Sequence, residues 1–215
     1  MLPRPLRRAP SISKMISGRQ ANVLLFAVTV VELSILLQQT ATFAAEDWIY
    51  LSQHILVLGI SLARRDPVVV DQSWPTATAV IVSYAYPYAQ VAYLNWSDGH
   101  VAWSDGGVAL VVVSALLSLV ALLSIGRLFG VRPALRGIAT IGPYRLVRHP
   151  MYLAYVIGDI GYLLEEWNIG LLLIVAAGWA SLAYRIYAEE RVLSAHPDWS
   201  AYIGRTPYRL VPGVW

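Results

Sequence analysis

The chain has no cysteine and few charged residues. Its 215 residues include no Cys, and only 13% are Asp, Glu, Lys or Arg. The absence of cysteine excludes a disulfide, a thiolate nucleophile and a thiolate metal site, and we expect no metal site of another kind. No internal repeat or low-complexity segment stands out.

Long hydrophobic blocks make up most of the remainder. Hydrophobic residues account for 57% of the chain and the mean hydropathy is +0.56. A hydrocarbon core of about 30 Å takes roughly 20 helical residues to cross, so the sequence predicts an all-α, polytopic integral membrane helix bundle. The predicted spans are residues 21–39, 48–63, 77–96, 107–125, 151–164 and 169–188. Because the fifth is short and could pair with the sixth in a tight hairpin that turns at residues 165–168, we expect five or six full crossings.

Arginine and lysine lie in the two terminal segments and in alternate predicted loops. Cytoplasmic loops carry an excess of these residues, so the pattern predicts that both termini face the cytoplasm, and only Arg185 departs from it. The sequence pI near 9.2 therefore reflects membrane topology, and we expect a lipid bilayer rather than nucleic acid as partner. A cleaved signal peptide is the alternative interpretation of the start, but Glu32 interrupts the first hydrophobic run and further spans follow it.

Polar groups are distributed unevenly along the chain. We predict that residues 1–125 form a transmembrane scaffold of about four spans. Most loops of residues 126–215 carry groups that could bind a ligand, so we predict that these residues form a cofactor-binding catalytic region. Residues 191–215 are too polar to span a membrane. We expect them to lie at the cytoplasmic interface and to cover the mouth of the bundle.

Residues 142–152 place ionisable groups where a basic loop enters a hydrophobic segment. Pro150 suits the first turn of a helix, which leaves Arg148 and His149 at a helix start that attracts anions. Tyr144 and Tyr152 flank them. Unpartnered charge at a membrane edge costs several kcal/mol, so a polar ligand is one interpretation and a loop that anchors the helix is the other.

A second polar cluster lies at the predicted cytoplasmic end of the sixth span. Arg185 and Glu189 are four residues apart and share a helix face, and Glu190 follows. The alternative interpretation is a solvated helix end. However, the macrodipole at a helix C-terminus disfavours negative charge, so two acids there indicate a cationic or hydroxyl-bearing partner.

The hairpin would bring these two clusters together. A ligand that suits both has a carboxylate, an amine, hydroxyls and a cationic centre, as S-adenosylmethionine does. Phosphates or anionic lipid headgroups would also suit the basic half.

The motifs in the C-terminal part of the chain also resemble those of a known protein family. Arg148-His149-Pro150-Met151-Tyr152, followed by Glu189-Glu190 and then by Tyr202, Arg205 and Pro207, is similar to the isoprenylcysteine carboxyl methyltransferase and phospholipid methyltransferase superfamily from about Gly126 onwards. This resemblance implies an S-adenosylmethionine site formed by Tyr144, Arg148, His149, Pro150, Tyr152, Glu189 and Glu190. It implies a catalytic role for Arg185 and Arg205, which would help to hold the cofactor or the methyl acceptor. Ala154 replaces a glycine that is usual in the family motif.

The resemblance predicts a membrane enzyme that transfers a methyl group at the cytoplasmic face to a hydrophobic acceptor, such as an isoprenylcysteine-type carboxylate or a related lipid-like molecule. Lipid amines and small thiols remain open as acceptors, as does the oligomeric state. An NADPH-dependent membrane enzyme similar to sterol reductases and a noncatalytic membrane assembly protein are the competing functional classes. A Gly-x-Gly-x-x-Gly motif after a strand is lacking, so a soluble Rossmann-type methyltransferase is not supported.

Overall fold

The computed structural model describes residues 45–96 and 104–215. It also describes Val23, Phe26, Ala27, Thr29, Val30, Val31 and Ser34, all of which are helical. The predicted first span and the basic N-terminal segment otherwise lie outside the described residues.

Six helices and one small sheet follow in the described part of the chain. The helices are α1 (Ala45–Ala63), α2 (Trp74–Trp96), α3 (Asp105–Ile125), α4 (Pro150–Glu165), α5 (Ile169–Leu193) and α6 (Trp199–Arg205). Single 3-10 turns cover Gly126–Leu128 and Gly142–Arg145. The prediction of helices for the second to sixth hydrophobic blocks is confirmed.

The short sheet departs from the all-α prediction. Strand β1 (Val69–Val70) pairs antiparallel with β2 (Ala134–Leu135), with Val69 opposite Leu135. Two-residue strands leave no periodic pattern in a sequence, which is why the prediction missed them. Their pairing ties the loop after α1 to the loop after α3.

Two of the described helices are long and apolar enough to cross a membrane, Asp105–Leu128 and Ile169–Leu193. The C-terminal part of α1, Leu51–Ala63, is apolar but shorter. Helix α4 has 16 residues, a length of about 24 Å that falls short of a typical hydrocarbon core. The expectation of five or six crossings therefore stays a prediction.

Local signals fix the ends of α4 and α5. Pro150 occupies the first turn of α4, where a missing N–H leaves no helical bond unmade. The side chain of Asn168 caps α5 by accepting a hydrogen bond of 2.8 Å from the amide of Leu171. The chain therefore reverses between Glu165 and Ile169, at the predicted turn.

The two helices joined by that turn pack mainly on other helices. Helix α4 lies against α3, and α5 lies against α2. Small residues allow both approaches: a Cβ added to Gly161 would come within 3.2 Å of the Gly107 carbonyl oxygen, and one added to Gly178 within 2.5 Å of the Tyr86 ring. The expected tight hairpin is thus correct in its turn but not in its packing.

Ala154 belongs to the same small-residue face of α4. It is fully buried, and its carbonyl oxygen accepts a 2.7 Å hydrogen bond from the Ser114 hydroxyl of α3. The residue that departs from the family motif therefore lies at the contact between α3 and α4.

A buried carboxylate links three of these helices. Asp159 of α4 accepts hydrogen bonds from Gln90 and Tyr86 of α2 and from Trp179 of α5, at 2.9, 3.3 and 2.7 Å. A carboxylate inside a membrane bundle requires such donors. These hydrogen bonds fix α2, α4 and α5 relative to one another.

Candidate functional site

The segment that leads into α4 is held by the C-terminal part of the chain. The amides of Arg148 and His149 donate to the carbonyl oxygens of Tyr208 and Arg209, both at 2.9 Å. The hydroxyl of Tyr202 donates to the carbonyl oxygen of Tyr144 at 3.0 Å. Residues 202–209 therefore cover this helix start.

Glu190 is the centre of one half of the polar cluster. Its Oε1 accepts a 2.8 Å hydrogen bond from Arg148 Nε, and its Oε2 accepts bonds of 3.0 and 2.8 Å from Nε and Nη2 of Arg209. Arg148 Nη1 donates in addition to the carbonyl oxygens of Thr206 and Pro207. With two guanidinium partners, this carboxylate fastens the C-terminal segment onto α5.

Glu189 is the centre of the other half, and it is more accessible. The hydroxyl of Tyr152 donates to its Oε1, His149 Nδ1 lies 3.6 Å from its Oε2, and Arg185 Nη2 lies 3.8 Å from its Oε1. Its side chain is 22% exposed, against 13% for Glu190.

His149 lies between the two carboxylates. Its Nε2 is 3.4 Å from Glu190 Oε1, and its ring stacks on that of Tyr152 with centroids 5.7 Å apart. Burial lowers the pKa of His149, but hydrogen bonds and charge from both glutamates outweigh burial, so that the pKa is raised above its usual value. The structure therefore favours the imidazolium form at this position.

Arg185 reaches from α5 to two other parts of the fold. Its Nη1 donates to the Ser83 hydroxyl of α2 at 2.7 Å, and its Nη2 donates to the carbonyl oxygen of Val131 at 3.0 Å. The guanidinium carbon lies 5.2 Å from the Tyr152 ring centroid and 5.8 Å from that of Tyr84. Its Nε is buried and has no hydrogen-bond partner among the described residues.

These side chains open onto one cavity of about 700 Å³, a volume in the range of small-molecule sites. Among the residues that line it are Tyr144, Arg148, His149, Tyr152, Arg185 and Glu189. Ser83, Tyr84, Tyr86 and Gln90 contribute a wall from α2. The cavity therefore uses residues on both sides of the predicted boundary between residues 125 and 126.

The structure brings together all of the predicted site residues except Arg205. Pro150 is buried at the start of α4 and positions its neighbours there. Arg205 is exposed at the end of α6, and its Nε donates to the carbonyl oxygen of Ala201 in the same helix. The predicted cofactor and catalytic roles of all these residues remain predictions.

Sequence reasoning missed Arg209, which occupies the position beside Glu190. It lies four residues after Arg205 in the same basic segment, and no periodic pattern distinguishes the two arginines. Ser83 was also missed, since a lone serine in an apolar span carries no signal. Among the described residues, no group of three or more His, Asp and Glu is placed to bind a metal ion.

Comparison with known proteins gives a family match. Residues 107–195 match the isoprenylcysteine carboxyl methyltransferase (ICMT) family. The predicted resemblance to this superfamily is confirmed, over a segment from α3 to just beyond α5. ICMT proteins are membrane-integral methyltransferases that generally use S-adenosylmethionine. No curated protein and no solved structure matches the chain.

Proposed function

We propose that the chain is an integral membrane methyltransferase that transfers the methyl group of S-adenosylmethionine to a hydrophobic acceptor at the cytoplasmic face. The observation that carries this proposal is the convergence of Glu189, His149, Tyr152 and Arg185 on one cavity between helix ends. The ICMT match over the helices that hold these residues supports it.

The donor set fits the cofactor. Glu189 is the more accessible carboxylate and lines the cavity, so it can accept hydrogen bonds from ribose hydroxyls or the ammonium group. Arg148 and the His149 imidazolium supply positive charge for a carboxylate. The Tyr144 side chain also lines this space, and an aromatic ring there suits a cationic sulfonium.

Glu189 and Glu190 would have different roles. Glu190 is held by Arg148 and Arg209, so we assign it to fastening the C-terminal segment over the site. Glu189 would contact the cofactor directly. Closing the site with residues 202–209 would exclude water and hold the reactants in line at near-attack distance.

The bound cofactor would supply an electrophilic methyl group on sulfur. As the acceptor atom attacks the methyl carbon, the carbon–sulfur bond would break and its electron pair would stay on sulfur. A carboxylate acceptor is already nucleophilic, so the protein needs only to orient it, and Arg185 is placed to do so. An amine or thiol acceptor would have to lose a proton. Glu189 lines the cavity near the helix ends, and its carboxylate could receive that proton.

Isothermal titration calorimetry with S-adenosylhomocysteine in detergent tests the cofactor assignment. Glu189→Gln should weaken binding at least about ten-fold, because one charged hydrogen bond is lost. Asp198→Asn is the matched control, since its carboxylate is 79% exposed and removal changes the charge equally. NADPH binding in the absence of S-adenosylhomocysteine binding would overturn the proposal.

Methyl-labelled cofactor tests the reaction. We would incubate the protein with total membrane lipids, a prenylated cysteine analogue, a lipid amine and a small thiol, and measure which fraction acquires label. Label in a hydrophobic fraction, abolished by Glu189→Gln, is the expected result. Absence of label from every fraction would argue against an enzyme.

A further inference from the structure

Two exposed aliphatic side chains flank the 3-10 turn Gly142–Arg145. Ile141 is 62% exposed and Leu146 is 69% exposed. The turn lies against the last helical turn of α3, because a Cβ added to Gly142 would clash with the Ser124 hydroxyl. Since α3 is long and apolar enough to cross a membrane, its end marks the level at which hydrocarbon meets headgroups. The two aliphatic side chains are therefore exposed at that level.

Two exposed arginines lie beside this turn. Arg145 is its last residue and Arg205 is the last residue of α6. The Thr206 hydroxyl donates to the carbonyl oxygen of Arg145 at 3.4 Å, which brings the two segments together. Arg205 Nε donates to the Ala201 carbonyl oxygen at 3.3 Å. No carboxylate of the described residues pairs with the guanidinium of Arg145 or of Arg205.

These arginines are separate from the candidate site. Glu190 holds Arg148 and Arg209, whereas Arg145 and Arg205 are absent from the cavity lining. Two like charges on neighbouring segments repel each other, although water weakens the repulsion. An anion bound by both guanidinium groups would remove it, and would give the exposed position of Arg205 a purpose.

The chemistry of the surface selects its partner. A phosphate group complements two guanidinium groups, and acyl chains complement the exposed side chains of Ile141 and Leu146. A soluble anion would leave those aliphatic side chains uncovered. Residues 1–20 contain five arginine and lysine residues and no acidic residue, so that segment lacks the complementary charge.

We propose that this surface binds an anionic phospholipid. It consists of Arg145, Arg205, Ile141 and Leu146. The arginines bind the phosphate of the headgroup, and the aliphatic side chains contact the acyl chains. This inference goes beyond methyl transfer and does not depend on it. Because Tyr144 of the same turn lines the cavity, the lipid would bind on the outer side of a cavity wall.

Native mass spectrometry of the full chain in neutral detergent tests the surface, with dioleoyl phosphatidylglycerol and dioleoyl phosphatidylcholine as probes. Arg145→Gln and Arg205→Gln should each weaken binding of the first phosphatidylglycerol about five-fold, as expected for one basic group near an anionic surface. Combining them should weaken it about twenty-fold. Arg145→Lys, which keeps the charge, should cause a smaller loss than Arg145→Gln. Phosphatidylcholine binding should change less than about two-fold in each variant.

Arg65→Gln is the matched control. Arg65 is also exposed, but Asp66 follows it and supplies an opposite charge, so its replacement should leave phosphatidylglycerol binding within about two-fold of the unaltered protein. Leu146→Ser keeps both arginines and should weaken phosphatidylglycerol binding, because an acyl contact is lost.

Three outcomes would overturn the proposal. One is full phosphatidylglycerol binding in the variant that lacks both arginines. Another is an equal loss in Arg65→Gln and Arg145→Gln, which would indicate a general effect of charge. The third is displacement of phosphatidylglycerol by an equal concentration of inorganic phosphate, which would indicate a phosphate site rather than a lipid surface.

The cofactor measurement keeps the two proposals apart. S-adenosylhomocysteine should bind Arg145→Gln as tightly as the unaltered protein, and an unchanged melting temperature would show that this variant is folded. If the unaltered protein binds no S-adenosylhomocysteine but phosphatidylglycerol binding still depends on Arg145 and Arg205, the methyltransferase proposal fails and the lipid surface stands.

Discussion

Replacing each of the adjacent glutamates separately should have different consequences. Glu190 accepts three hydrogen bonds of 2.8 to 3.0 Å from two guanidinium groups, and the Arg148 side chain is only 9% exposed. Glu190→Gln keeps an acceptor oxygen but removes the charge, so Arg148 is left buried beside a neutral group. Hydrogen bonds to charged groups contribute about 1.5 to 3 kcal/mol each, without being additive.

The bond from Arg209 counts for less because that side chain is 36% exposed. We therefore expect Glu190→Gln to lower the free energy of unfolding by about 2 to 4 kcal/mol. In a chain of this size that corresponds to a fall in melting temperature of roughly 5 to 15 °C. Thermal unfolding in detergent, followed by intrinsic fluorescence, measures it.

Glu189→Gln should show the opposite balance, with a smaller fall in melting temperature and a larger loss of S-adenosylhomocysteine affinity. Arg209→Gln serves as the partner variant and should reproduce part of the melting shift of Glu190→Gln. An unchanged melting temperature in Glu190→Gln would refute the assignment of Glu190 to fastening the C-terminal segment. Equal effects of both glutamate variants in both assays would refute the division of roles.

Three further outcomes follow from the geometry. Because the pKa of His149 is raised, its charge stabilises the fold fully at pH values below the unfolded pKa near 6.5, and this stabilisation is lost as the pH rises through the folded pKa. The difference in melting temperature between the unaltered protein and His149→Gln should therefore shrink between about pH 6 and pH 9. A difference that grows over this range would contradict the assignment. Gly178→Ala should destabilise by about 1 to 3 kcal/mol in thermal unfolding, because the new Cβ meets the Tyr86 ring at 2.5 Å, and an unchanged melting temperature would show that the ring moves aside freely. Ala154→Gly should lower the free energy of unfolding by about 1 kcal/mol in the same assay, because glycine destabilises a helix interior. Calorimetry should show an unchanged affinity for S-adenosylhomocysteine, since Ala154 contacts α3. A changed affinity would place Ala154 at the cofactor.

Local signals made much of the fold predictable. Pro150 at a helix start and the polar turn at residues 165–168 located α4 and α5. The charge pattern also paired the right helix ends, because Arg148 and the two glutamates have few favourable partners elsewhere at a membrane edge.

What escaped prediction depends on contacts between distant segments. The choice of Arg209 over Arg205 is set by how residues 206–215 fold back, with the amides of Arg209 and Leu210 donating to the Trp215 carbonyl oxygen. The contact of Arg185 with Ser83 joins residues 102 positions apart. Neither leaves a local pattern, and the packing of α4 on α3 rather than on α5 likewise depends on how small side chains fit together.

The cavity has one wall inside the ICMT-matched segment and another outside it. Glu189, Arg185 and Arg132 lie within residues 107–195, whereas Ser83, Tyr84 and Gln90 come from α2. Sequence change in α2 could therefore reshape the chamber while the paired glutamates stay in place. Under the proposed function, two chains alike over the matched segment would share a methyl donor and could still differ in the molecule they methylate, so that acceptor preference would be free to change separately from cofactor binding.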